Sequence, residues 1–147
     1  MPATTLDTIQ GAIRTAIEGM TPRYTDGSST RPWRFYEGPH VVRSDARWFT
    51  FSWDTEGYTP GGFMGPAMVD TTVTMSIIVD YGGVPEHIVK RMAEDDHYQL
   101  RDVLNRLKST VDGLRWLEAI DWDFANEDRN QARIVHQYEV RYMKARA

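Results

Sequence analysis

The sequence predicts an α+β domain, an antiparallel sheet with helices packed mainly on one face, in the rough order α-β-β-β-α-α-β-β. Three observations carry that reading. Leu6, Ile9, Ile13, Ala16, Ile17 and Met20 recur at three- and four-residue steps, the stripe of an amphipathic helix. Two long runs, Val69 to Tyr81 and Gln131 to Met143, alternate residue by residue between an apolar and a polar side, as strands with one buried face do. Between them Leu100, Val103, Leu104 and Leu107 return to helical spacing. Strands on both sides of a helical segment, without a regular βαβ alternation, favour helices gathered on one face of a sheet.

Helix 1 is expected from about Thr5 to Met20. Thr4 with Asp7 three residues on is a variant of the capping box, and Gly19 followed by Thr21-Pro22 stops the helix, because the residue before a proline resists helical geometry. Arg23 to Thr30 is polar and reads as a loop. Pro32 cannot donate a ladder hydrogen bond, which puts Trp33 to Glu37 at a strand start or a sheet edge. Gly38-Pro39 then turns the chain into a short run at Val41 and Val42. In Trp48 to Trp53, Phe49, Phe51 and Trp53 alternate with Thr50 and Ser52, giving one aromatic and one hydroxylic face.

Asp54 to Met68 carries four glycines and two prolines together with Tyr58, Phe63 and Met64. So long an excursion inside one domain, residues 1–147 with no linker or repeat, is uncommon unless functional or disordered: it reads either as a mobile hairpin tip or, given its aromatic groups, as a functional loop ordered by a partner. Val69 to Tyr81 is long for a strand in a small domain, so its far end is expected to overhang the sheet. Gly82-Gly83 and Pro85 lead into a small helix around Ile88, Val89 and Met92, and Asp95 or Asp96 caps a second one that ends at Ser109 to Gly113. Ile120, Trp122 and Phe124 alternate with Asp121 and Asp123, Ala125 to Asn130 reads as a turn, and the closing strand puts Ile134, His136, Tyr138, Val140 and Tyr142 on one face.

Composition narrows the function classes. With no cysteine there are no disulfides, thiolate zinc sites or thiol nucleophiles, which suits synthesis in a reducing cytosol. The longest aliphatic run is Ile77-Ile78-Val79, so no membrane segment is expected. The net charge of −4, with Lys and Arg dispersed, lacks the basic footprint of a specific nucleic-acid binder.

A search for chemistry yields little. His40, His87, His97 and His136 stand too far apart for paired ligands at helical spacing, and His136 reads as a hydrogen-bonded core histidine. Gly61-Gly62 and Gly65 lie between strands and lack a following lysine, so no nucleotide or other cofactor is expected. Asp121 and Asp123, two apart on a strand, could hold Mg²⁺, although a solvated strand face shows the same pattern. No serine stands in a nucleophile elbow. Aromatic residues are the remaining signal. Trp33 with Phe35, and Tyr36 with Trp48, imply apolar area on more than one surface, which marks an interface.

An N-terminal amphipathic helix ending in Thr-Pro (Leu6 to Pro22), a β-meander with a long loop, a helix of the Leu100 to Leu107 type and a closing strand ending Tyr138-Glu139-Val140-Arg141-Tyr142 together resemble the tail terminator proteins of tailed phages. The resemblance spans nearly the whole chain and is one of length and element order, without a diagnostic motif. It implies a virion protein, assembled in the host cytoplasm, that forms a homo-oligomeric ring, commonly a hexamer. Such a ring sits on the tail tube protein, stops tube growth, presents a surface to the head-tail connector and lets DNA pass without specific binding. On that reading Trp33, Phe35, Tyr58, Phe63 and Met64 are the expected contact residues, and no catalysis is expected. Other neck proteins, head-tail adaptors and tail-tube subunits share these needs. Two readings of another class remain: a small metal-dependent enzyme using Asp121 and Asp123, and a ligand module lined by Phe49, Phe51 and Trp53.

Overall fold

The computed structural model describes residues 2–23, 31–37, 46–82, 84–124 and 133–146. Helix α1 covers Leu6–Glu18 and buries Ile9, Ile13 and Ile17 completely. A helix of 13 residues is marginal alone in water, so packing decides its stability. The three isoleucines, at roughly 1.5–3 kcal/mol each, hold it to the sheet. Its cap is Thr5 and not the expected Thr4. The Thr5 hydroxyl accepts the Thr8 amide at 3.2 Å, whereas the Thr4 amide donates to the Met143 carbonyl at 2.8 Å and is tied to the last strand.

Six strands form one sheet: β1 (Trp33–Phe35), β2 (Arg47–Trp53), β3 (Gly57–Tyr58), β4 (Met68–Asp80), β5 (Leu114–Phe124) and β6 (Arg133–Ala145). The spatial order is β1-β2-β4-β6-β5, with β3 lying along β4 beyond the end of β2. The sheet is mixed, because β1 pairs with β2 in parallel while the other pairs are antiparallel. Parallel neighbours require the chain to return to the same end of the sheet between them. The short run expected at Val41 and Val42, the loop from 24 to 30 and the turn at 125–130 lie outside the described residues.

No overhang is found on β4. It pairs along its whole length with β6, from Met68 opposite Ala145 to Asp80 opposite Arg133, so the excess length of one strand is taken up by an equally long neighbour. Val73, Met75, Ile77 and Val79 of β4 lie opposite Val140, Tyr138, His136 and Ile134 of β6 on the face that both helices cover. The other face carries Thr50, Ser52, Thr72, Thr74 and Ser76, half-buried or exposed.

Where two helices are expected after β4, there is one. Helix α2 runs unbroken over Glu86–Asn105 and tightens into a 3-10 turn at Arg106–Ser109. Asp95 and Asp96 therefore lie inside a helix instead of capping one. Asp96 is fully buried, accepting Arg47 Nε at 2.7 Å and the Tyr81 hydroxyl at 2.5 Å. A cation on a neighbouring strand thus makes the mid-helix carboxylate tolerable. Gly113, at φ +86°, reverses the chain into β5, and a Cβ there would meet the Pro2 carbonyl at 2.7 Å.

Strand β5 is irregular. Its register against β6 shifts between Leu114 and Trp116 and again between Ala119 and Asp121. The second shift breaks the expected common face of Ile120, Trp122 and Phe124: Trp122 turns inward opposite His136, while Ile120 is left 54% exposed. No described helix is long and apolar enough to cross a membrane.

Candidate functional site

The glycine-rich excursion folds as an ordered hairpin. Past β3 the Thr59 amide donates to the Asp70 carbonyl at 3.1 Å and the Gly62 amide to the Thr59 carbonyl at 2.9 Å, closing a tight turn through Gly61 at φ +71°. Gly62 has to be glycine, because a Cβ would stand 2.7 Å from that of Asp70. The chain then returns through Phe63 and Met64, with Met64 bridged to Val69 and the Gly65 amide bonded to the Met68 carbonyl at 2.9 Å.

Asp70 is the tie. It is 5% exposed, and its Oδ2 accepts the Phe63 amide at 2.8 Å and Arg115 NH1 at 2.7 Å, so one carboxylate joins hairpin, β4 and β5. On the covered side Glu56 accepts the Tyr142 hydroxyl and Lys144 Nζ. Burial pushes the Glu56 carboxyl up, but these two bonds outweigh it and hold it below the usual glutamate value. The expectation that a partner must order this segment is therefore corrected: its own hydrogen bonds do so.

The hairpin nonetheless presents large apolar groups to solvent. Tyr58 is 67% exposed, Phe63 53% and Met64 56%. Beside Tyr58 opens a cleft of about 680 Å³, lined by Val69 and Thr71 together with the charged side chains of Glu56, Lys144 and Arg146.

The other two expected contact residues behave differently. Trp33 is buried, its ring edge-on to Phe49 at 6.0 Å, and has no surface to give to a neighbour. Phe35 is half-buried, 5.5 Å from Phe49 and capped by the Arg14 guanidinium at 4.3 Å. Drawing β1 into the sheet points both rings beneath α1, which is why they belong to the core and not to a free edge. The same packing fills the aromatic face proposed for a ligand. Phe49 is buried, and Trp53 Nε1 donates to Gln10 of α1 at 2.6 Å.

Asp121 and Asp123 are both exposed, and each carboxylate is engaged by the backbone amide that follows it. Asp121 accepts the Trp122 amide at 2.8 Å and Asp123 the Phe124 amide at 2.7 Å. Among the described residues no group of three His, Asp or Glu side chains is placed to hold a metal. His40 lies outside the described residues, and His87 is exposed at the start of α2.

Two buried polar clusters escaped the sequence reading. Arg47, besides meeting Asp96, donates to the Arg31 carbonyl at 2.6 Å and so locks β1, β2 and α2 together. Burial raises the Asp96 carboxyl despite the adjacent guanidinium. The second cluster stacks His97 of α2 on His136 of β6, Nδ1 to Nδ1 at 3.2 Å and the rings tilted by 14°. Burial, aided by the neighbouring His97, pushes His136 down to about 3. His136 was expected in the core, but periodicity within one strand carries no signal for a partner on a helix. The sequence matches no protein-family model and no curated protein.

Proposed function

We propose that this chain is a structural virion protein that forms a ring at the head-proximal end of a phage tail tube, ends tail polymerisation and joins the tail to the head connector. The observation that carries the reading is the hairpin: Tyr58, Phe63 and Met64 are more than half exposed on a segment held in place by Asp70 and Arg115. A rigid display of apolar side chains fits a protein surface, since ordering it adds little entropic cost on association. The element order resembles that of tail terminators, and the net charge of −4 suits a channel along which DNA must slide without sticking.

Light scattering and negative-stain images of the purified protein test the reading. Rings with a central hole are expected, and the variant Tyr58→Ser/Phe63→Ser/Met64→Ser should keep the far-UV spectrum and melting temperature but fail to assemble. Normal rings from the triple variant would remove the hairpin from the contact. Absence of any assembly by the unaltered protein at its highest soluble concentration, and on isolated tail tubes, would overturn the ring itself.

A further inference from the structure

We infer that the sheet edge beside Phe51 and Trp53 takes an extended segment of a partner protein as an added strand, a contact separate from the exposed hairpin. The backbone bonds fix which groups of β2 face outward. The Asp54 amide donates to the Thr74 carbonyl at 3.0 Å, so Asp54, Ser52 and Thr50 turn their backbone groups toward β4. The residues between them turn the other way, as Phe49 shows: its carbonyl accepts the amide of Tyr36, the residue that follows β1, at 3.1 Å. One strand period further on, β1 has left the track. Among the described residues nothing pairs with the outward N–H and C=O groups of Phe51 and Trp53.

The side chains record the same boundary. Phe49, flanked by Trp33 and Phe35 of β1, is fully buried, whereas Phe51 and Trp53, on the same face but beyond the end of β1, are half-buried. Strand β1 therefore displays what an occupant of this track does: it pairs with the outward groups of β2 and completes the burial of the aromatic row. An extended polypeptide is the chemistry that matches, because its own N–H and C=O groups meet the unpaired ladder positions while its side chains alternate between the two faces. Apolar residues of such a segment cover Phe51 and Trp53 beside α1, and small hydroxylic ones lie next to Thr50 and Ser52 on the other face. A second copy does not fit. Its β5 is irregular, with two register shifts and with the Trp122 and Phe124 amides engaged by Asp121 and Asp123. If it offered the same β2 edge, antiparallel pairing of Phe51 with the Trp53 of that copy would bring that copy's β1 onto the track of Thr55 to Gly57.

The test is amide exchange read by NMR on the full chain, with the acetylated and amidated heptapeptide Lys-Val-Thr-Val-Thr-Val-Lys as the probe strand. In the free protein Thr50 and Ser52 should be protected, and Phe51 and Trp53 should exchange fast. At a peptide concentration ten times its dissociation constant, Phe51 and Trp53 should slow about 10-fold. The same peptide with proline in place of its central valine should leave them unchanged, since proline removes a ladder donor. Trp122 and Phe124 of β5 should respond to neither peptide. Phe51 and Trp53 amides as protected as those of Thr50 and Ser52 in the free protein would mean that the edge is already paired, and the inference fails. It fails as well if no β2 amide responds at millimolar peptide, or if β5 responds instead. None of these results touches the ring reading, which rests on the hairpin.

Discussion

The stacked histidines make stability depend on acid in a way that can be worked out. His136 is fully buried, and burial with His97 alongside depresses it to about 3, whereas an unfolded histidine titrates near 6.5. As pH falls the unfolded chain therefore takes up a proton first. Stability is fully present above about pH 6.5 and is lost on the way down to about pH 3, at up to ~1.4 kcal/mol per pH unit. Between pH 7 and pH 4.5 the loss from His136 alone comes to about 2.5 kcal/mol. His97 is also lowered, first by its burial and next by Arg101, with Asp121 opposing, so it adds to the loss in the same direction. Urea unfolding at fixed ionic strength across that window measures the effect. The variant His136→Gln retains His97 and the carboxylates, so the difference between the two proteins isolates His136. A loss steeper in the unaltered protein by about 2.5 kcal/mol is expected, together with a His136 ring resonance that does not titrate above pH 5. Parallel curves for the two proteins, or a ring titrating near pH 6, would refute the reasoning.

Arg47→Met should destabilise the fold by about 3–5 kcal/mol, because it leaves the wholly buried Asp96 without its cation. Pairing it with Asp96→Leu should restore most of the loss, and denaturant midpoints of the two variants decide. Asp70→Ala should cost about 1–3 kcal/mol by orphaning the Phe63 amide and Arg115. Hydrogen exchange should accelerate at Phe63 while β4 and β6 stay protected; uniform acceleration would mean that the tie holds the whole fold and not the hairpin.

Where the burial pattern is local, it can be read along the chain. The stripe of Ile9, Ile13 and Ile17 and the alternation of Val73, Met75, Ile77 and Val79 specify a helix and a strand with one apolar side each, since side-chain direction follows from the backbone repeat alone. The exposure of Tyr58, Phe63 and Met64 follows from the surrounding glycines and prolines, which leave too little apolar company to bury them. What depends on a distant partner could not be read in this way. Asp96 looks like a helix cap until Arg47, 49 positions away in sequence, arrives beside it. Trp33 and Phe35 look like free edge aromatics until β1 lies parallel to β2 beneath α1. The bulge that turns Ile120 outward exists only in the register between β5 and β6. Local spacing sets which way a side chain points. Only the tertiary structure decides what it meets, because the partner's position depends on how distant segments pack together.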